Sequence, residues 1–377
     1  MMSNKKLLFV ITEDWFFVSH FLERAEAAIK DGFEVAVATR VSKYEDLLRQ
    51  KGIAVYPINF SRRGLNPLKE LRTALRVRHI IKQFRPTIVH NIALKPVVTG
   101  TLGERWAGCL NIVNAPVGMG YVFTSTDTKA TLIRPIVKML VKRLLNPPGS
   151  RVIIENPDDY DSLISGGFVR SDSLTLIKGA GVNTNLFSAT TEPEGPIVVV
   201  LIARMLRDKG VGEFVDAARL LKPRFPSTRF LLVGTPDDGN PTSFSQTDVN
   251  NWQNEALVEW LGHRDDIAHV LETSHIVCLP SYREGLPKSL IEACSAGRPI
   301  VTTDVPGCRE VVHEGVNGLL VSPRDHISLA TAIETLILDP DMRVRMGRAG
   351  RERAITEFSS EIVIRQTLDL YETILKG

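Results

Sequence analysis

Short, nearly unbroken apolar runs alternate along this chain with longer stretches whose apolar residues recur every third or fourth position. In the first half, the runs at 7–11, 33–38, 53–58, 87–91, 111–114, 152–155 and 174–177 predict strands. Between them, helical periodicity covers 18–30, 67–84 and 129–145. A polar, turn-rich stretch, "SATTEPEGP" (188–196), interrupts the pattern. Alternation then restarts with "IVVVLIAR", "RFLLVG", "VEWLG", "HIVCLP", "PIVTT" and "GLLV". Strands alternating with helices imply parallel sheets covered by helices, hence an α/β fold with two doubly wound domains, 1–190 and 191–357. The terminal segment 358–377 reads as a separate helix. Ligands of such sheets bind beyond the carboxyl ends of the strands, so two sheets whose ends face each other would enclose an interdomain cleft. The longest irregular stretch, 234–252, is long for a plain connection and is expected to be a mobile or partner-binding loop.

Two strand-to-helix connections in the second half carry chemistry. "LIARMLRDKGVGEF" ends a β-branched strand near Ala203 and starts a helix near Gly212, with Arg204 and Lys209 on the loop between. Arg grips phosphate oxygens through a planar fork, whereas Lys acts as a compact point charge. Gly210 and Gly212 permit close backbone approach. Alone, the loop also fits a solvated turn with scattered charges. The second connection, "SYREGLPKSLIEACSAGRP", follows the strand in "HIVCLPS". Pro287 suits the first helical turn and Gly297 the far end. A helix start favours anions, yet this one carries Glu284 and Glu292, which also read as an ordinary loop acid and helix-surface acid. Taken together, two cations, backbone donors and two carboxylates suit a ligand bearing both phosphates and hydroxyls, the composition of a nucleotide sugar.

"SYREGLPKSLIEACSAGRPIVTTDVPGCREVVHEGVNGLLV" resembles the E-x7-E region of the large family of retaining GT-B glycosyltransferases called family four. "ARMLRDKG" is similar to that family's R-x4-K-G loop, and "IKGAGVNTNLF" to its interdomain turn. "FSRRGLNPLKELR" and "IARMLRDKGVGEFVDAARLL" resemble the branch that extends undecaprenyl-diphosphate-linked sugars, such as N-acetylgalactosaminyltransferases of bacterial glycan assembly. The resemblance implies a nucleotide-sugar donor in the second domain, an acceptor in the first, and no metal or other cofactor. It implies Arg204 and Lys209 on the donor diphosphate, Glu284 on sugar hydroxyls and Glu292 on the ribose. Gly285, Leu286 and Pro287 would line the sugar and phosphate, and the base would lie near "LGHRDD", with His263 and Arg264 among the donor-binding residues. The last helix would pack back on the first domain. The first domain departs from the family, with "TEDWFFVSHF" where many relatives have a Gly-Gly turn and "NAPVGMGYVF" where many have a His. His20, Gly118 and Tyr121 are the acceptor-side candidates there, although His20 also suits packing against the first helix.

Charge changes the picture of the first half. The net charge of +3 divides into +10 for 1–190 (26 Lys+Arg, 16 Asp+Glu) and −7 for 191–377 (20 against 27). Segments 60–86 and 129–151 carry much of the excess, and the second sets Leu132, Ile133, Ile136 and Leu140 among Arg134, Lys138, Lys142 and Arg143. Basic residues framing apolar ones suit an anionic membrane surface. The same pattern fits a core-facing amphipathic helix with a solvated basic side. No nucleic-acid motif accompanies the charge. No apolar run is long enough for a membrane span. Cys109, Cys278, Cys294 and Cys308 lack C-x-x-C spacing and read as reduced thiols of a cytoplasmic protein, peripheral at the inner face of the plasma membrane. The D-x-D tripeptides at Asp159 and Asp339 open predicted helices, where acids are expected without a metal.

The expected activity is retaining transfer of a HexNAc or hexose from a UDP-sugar to a polyprenyl-diphosphate-linked saccharide. The alternatives on the same fold are a sugar-nucleotide epimerase, a glycosyl phosphorylase, or a non-catalytic nucleotide-sugar-binding subunit.

Overall fold

The computed structural model describes residues 5–60, 67–109, 111–117, 142–237 and 239–376. Gly118, Tyr121 and most of the helix expected over 129–145 lie outside the described residues, as do parts of both basic segments. The chain divides into two units, Met1–Ala180 with Glu361–Gly377, and Gly181–Ser360.

Among the described residues, the first unit holds seven parallel strands, β1 (Lys6–Glu13), β2 (Glu34–Arg40), β3 (Ala54–Pro57), β4 (Ile88–Ile92), β5 (Ile112–Ala115), β6 (Arg151–Ile154) and β7 (Leu174–Leu176). Their order is β3-β2-β1-β4-β5-β6-β7. Helices α1 (Asp14–Lys30), α2 (Glu45–Gln50), α3 (Pro67–Phe84), α4 (Leu94–Ala107) and α5 (Pro157–Ser165) cover it. The inner strands β1, β2, β4, β5 and β6 are buried over most of their length, which is why they read as continuous apolar runs, whereas the edge strands β3 and β7 are only partly buried. Leu7, Phe9 and Ile11 of β1 pack with Phe17, Phe21 and Ala25 of α1.

Among the described residues, the second unit holds six parallel strands in the order β10-β9-β8-β11-β12-β13. These are β8 (Val198–Ile202), β9 (Arg229–Val233), β10 (Glu259–Trp260), β11 (Ile276–Leu279), β12 (Ile300–Thr303) and β13 (Gly318–Val321). Its helices are α6 (Val211–Leu221), α7 (Gln246–Asn254), α8 (Ile267–Glu272), α9 (Lys288–Ser295), α10 (Cys308–Val311), α11 (His326–Leu338) and α12 (Pro340–Glu357). The chain leaves β8 for β9 and β10 on one side, then returns to place β11 on the other. That reversal makes β8/β11 a topological switch point, where open α/β sheets bind ligands.

The unit boundary falls at Gly181 rather than near 190. The segment after Gly181 is stitched to the far end of its own unit. The Val182 N–H donates to Phe358 O (2.9 Å), the Ser360 N–H donates to Val182 O (2.9 Å), and Phe187 joins the core around Leu290 and Phe358. The last helix, α13 (Ser360–Lys376), buries Val363, Leu370, Tyr371 and Ile374 in the first unit's core. Tyr371 Oη lies 2.6 Å from Nδ1 of the buried His90 on β4. The stretch 234–252 is not irregular throughout. It contains the start of α7, capped by reciprocal Ser245 and Asp248 side-chain bonds.

Candidate functional site

The loop after β8 is shaped from below. Met205 and Leu206 are buried, so the segment is pinned while the polar residues around them stay outward. Arg207–Lys209 form one 3-10 turn, and Gly210 follows in the left-handed conformation (φ 70°) as the N-cap of α6. A Cβ at Gly210 would overlap the Pro280 carbonyl, so only glycine lets this loop lie against the end of β11.

The loop after β11 is built onto the first. Ser281, fully buried, has its Oγ 2.7 Å from Glu284 Oε1 and 3.0 Å from the Asp208 carbonyl. The Tyr282 N–H donates to the same carbonyl (2.9 Å). Lys209 Nζ closes the structure by pairing with Glu284, whose side chain is only 10% exposed. Gly307 (φ 80°) abuts the Glu284 and Gly285 carbonyls, where a Cβ would collide with both. Thus Lys209 and Glu284 meet across the switch point. Arg204 is more open and pairs with Asp237 (2.7 Å), so each of the two expected phosphate-binding cations holds a carboxylate.

Helix α9 begins at Lys288, not at Pro287. Pro287 is extended (φ −70°, ψ 117°) and serves as N-cap, its carbonyl accepting from Leu290 N (3.1 Å) and Ile291 N (3.3 Å). Leu286 and Pro287 are buried and Gly285 is half-buried. Glu292 is not a surface acid. It is buried, and Lys288 Nζ lies 3.4 Å from its carboxylate. Burial pushes the Glu292 carboxyl above its ordinary value, with Lys288 pulling the other way.

The structure turns His263 and Arg264 toward acids two residues on, at 3.1 Å to Asp265 and 2.7 Å to Asp266, on an exposed loop. What reaches the strand ends there is backbone, with the Gly234 N–H donating to Gly262 O (2.7 Å) and the Leu261 N–H to Leu232 O (2.9 Å). In the first unit, His20 stacks on Phe16 one turn earlier, the ring centroids 4.2 Å apart. Asp159 and Asp339 serve helix starts. The Asp159 N–H donates to the Asn156 side chain, and the Asp339 side chain accepts from Met342 N. Among the described residues, no group of three or more His, Cys, Asp or Glu is arranged to hold a metal.

Sequence reasoning missed Ser281 and Asp237. Ser281 precedes Glu284 by three, a spacing that a turn closes, and this was the available signal. Asp237 sits in a polar loop with no pattern to single it out.

Comparison with known proteins bears on both units. Residues 182–353 match the family described as glycosyl transferases group 1, and residues 6–147 match the family described as glycosyl transferase 4-like. The chain is 28% identical over 374 residues to a Campylobacter jejuni protein, N,N'-diacetylbacillosaminyl-diphospho-undecaprenol alpha-1,3-N-acetylgalactosaminyltransferase, covering 96% of each. It is 24% identical to the Escherichia coli UDP-Gal:alpha-D-GlcNAc-diphosphoundecaprenol alpha-1,3-galactosyltransferase, covering 82% of this chain and 81% of that protein. Among solved structures it is similar to Anabaena HepE in complex with UDP (TM-score 0.79, 20% identity, 98% of this chain and 100% of that chain). It is also similar to sucrose-phosphate synthase from Thermosynechococcus elongatus (TM-score 0.81, 20% identity, 99% and 100%).

Proposed function

Because the chain belongs to the GT-B glycosyltransferases, with a group 1 domain in its second half and a 4-like domain in its first, we propose that it moves a HexNAc or hexose from a UDP-sugar to a polyprenyl-diphosphate-linked saccharide. The observation that carries this reading is the Lys209–Glu284 contact. It joins loops 75 residues apart at the switch point of the second sheet, beside the start of α9. A cation, a carboxylate and a helix start converging at strand ends suit a ligand with phosphate at one end and hydroxyls at the other.

In this mechanism the hard step is loss of the nucleoside diphosphate from the anomeric carbon. Arg204, Lys209 and the N-terminal end of α9 stabilise the charge that develops on the leaving phosphate. One such stabiliser is typically worth about 3 kcal/mol, roughly a hundredfold in rate. Glu284 accepts hydrogen bonds from sugar hydroxyls, and Glu292 from the ribose. Gly285, Leu286 and Pro287 line the sugar and phosphate. Pro287 has no N–H and contributes only its carbonyl and shape. The base lies by 261–266, read by backbone rather than by the His263 and Arg264 side chains, which are engaged locally. The acceptor attacks on the face from which the diphosphate departs, so configuration is retained, and a leaving phosphate oxygen takes its proton. No metal has a role in this scheme.

The acceptor reading draws support from the likeness to transferases whose names specify undecaprenyl-diphosphate-linked sugars. It also draws on the basic first half, which would sit on an anionic membrane through 60–86 and 129–151 at the inner face of the plasma membrane. The deciding experiment offers a panel of UDP- and GDP-sugars with a polyprenyl-diphosphate saccharide and determines the product linkage. A retained α-linkage from one UDP-sugar is the expected result. Turnover of donor without acceptor would instead mean epimerase chemistry. A requirement for free phosphate would mean a phosphorylase, and binding without turnover on any acceptor a non-catalytic subunit.

A further inference from the structure

Arg204 and Lys209 are both engaged by carboxylates, but the two partners differ in kind. Glu284 has a place in the proposed reaction, on the sugar, whereas Asp237 has none. We propose that Asp237 is an internal competitor for the donor diphosphate, holding Arg204 until a nucleotide displaces it and thereby setting donor affinity. This rests on the reading of the switch-point crevice as a nucleotide-sugar site.

The loop that carries Asp237 is held in place independently of Arg204. Its flanks make backbone rungs with the segment after β8. The Met205 N–H donates to Thr235 O (3.0 Å), the Arg207 N–H to Thr242 O (2.8 Å), and the Phe244 N–H to Met205 O (2.8 Å). Thr242 Oγ1 adds a bond to Asp208 (3.1 Å), and Arg207 stacks over Phe244. Within the loop, the Asp237 N–H donates to Ser243 Oγ (2.9 Å). The two carboxylate oxygens have separate tasks. Oδ1 accepts from Gly239 N (3.2 Å), and Oδ2 accepts from Arg204 Nη1 (2.7 Å). A negative charge is therefore fixed at hydrogen-bonding distance from the guanidinium that a phosphate would need.

The pair is open to solvent, the Arg204 side chain 48% and the Asp237 side chain 22% exposed. Ion pairs of this kind are weak. A diphosphate brings more charge than one carboxylate, and Arg grips it through two parallel bonds. It should displace Asp237 at a modest cost, which the protein meets on every binding event.

Asp237→Asn isolates that cost, because the amide oxygen can still accept from Gly239 while the charge is gone. The test measures UDP binding by calorimetry to the wild type, Asp237→Asn, Arg204→Ala and the double variant, at low and at physiological salt, with melting temperatures recorded. We expect Asp237→Asn to bind UDP roughly two- to fivefold more tightly, the range that a solvent-exposed pair allows. The gain should shrink with salt and vanish in the Arg204→Ala background. Asp237→Ser, which also removes the charge, should shift affinity in the same direction if the Asn variant melts early. Unchanged or weaker UDP affinity in both variants overturns the proposal, as does an equal gain without Arg204. If the wild type binds none of UDP, GDP, ADP and TDP, the nucleotide-sugar reading falls first and takes this proposal with it.

Discussion

Lys209 sits where two effects compete, since the ammonium that pairs with Glu284 is also the one assigned to the leaving phosphate. Lys209→Ala should therefore lower kcat by about a hundredfold. UDP affinity should change less, because Arg204 and the α9 start remain. Single-turnover rates at saturating donor check this, and an unchanged rate would remove Lys209 from the chemistry. Glu292 makes a different prediction. Its carboxylate is buried with Lys288 beside it, and on the proposed reading it accepts hydrogen bonds from the ribose hydroxyls. Glu292→Gln should weaken binding of UDP by roughly tenfold yet leave 2′,3′-dideoxy-UDP almost unaffected, a difference typical of one charged hydrogen bond. Equal losses for both nucleotides would mean that Glu292 does not face the ribose. These residues were legible in the sequence because each lies at a fixed offset from a strand end or helix start. Their engagement was not. Neither the Lys209–Glu284 contact nor the burial of Glu292 follows from spacing, since both depend on how β8 and β11 are placed side by side.

The sheets were legible for a simpler reason. Strands buried on both faces are largely apolar, and all thirteen runs read as strands from the sequence appear in the two parallel sheets. Connections were harder. Helix α7 hides in a polar stretch because its start rests on side-chain caps rather than an apolar stripe, and the boundary at Gly181 is set by two backbone bonds to 358–360. Where a connection must be close, one residue controls the element. Gly210→Ala would force a Cβ against the Pro280 carbonyl at a left-handed φ, parting the two site loops. A loss of about 1–3 kcal/mol in chemical denaturation is expected, together with loss of UDP binding. A second element-level effect concerns α4. Glu104 is fully buried against Asn91 of β4, whose side-chain N–H donates to it (2.9 Å) while also reaching Asn114 of β5. Burial pushes its carboxyl from 4.5 up to about 8, opposed by the Asn91 bond. The folded state then holds a proton that the unfolded chain gives up near 4.5. Glu104's contribution is complete below that pH and is lost as pH rises through about 8. Glu104→Gln should flatten this decline in urea midpoints measured from pH 5 to 9, and an unaltered slope would show that the group is not protonated in the fold.

Over the whole chain, charge is divided unevenly, with +10 in residues 1–190 and −7 in 191–377. On the proposed reading, an anionic donor would meet a net-acidic half and would be drawn in by local cations and the helix start. The basic unit offers its charge to something broader. Helix α3 gives that charge a face. Its inner side, with Val77, Ile80, Ile81 and Phe84, fills the core against β1 and β4. Leu68, Leu71 and Leu75, spaced about one turn apart, remain 68%, 44% and 45% exposed, beside the exposed Lys69, Arg72, Arg76 and Lys82. Exposed leucines interleaved with basic residues on one helix are a pattern also found on helices that lie in a bilayer interface. No helix among the described residues is long and apolar enough to cross a membrane, and the membrane contact proposed for the first half would include this surface. Each basic residue near an anionic bilayer contributes about 1 kcal/mol. The protein should therefore sediment with phosphatidylglycerol-containing vesicles and be released by salt, while neutral vesicles leave it in solution. Arg72→Glu with Arg76→Glu should lower partitioning at least tenfold, and Leu71→Asp with Leu75→Asp should do so with less salt dependence. Neither pair should alter UDP binding, because these residues belong to the unit that does not carry the donor loops. Transfer to a water-soluble acceptor should survive both pairs, and transfer to acceptor embedded in vesicles should fall with partitioning. Equal retention on neutral and anionic vesicles would separate the basic face from the membrane and leave its charge without this role.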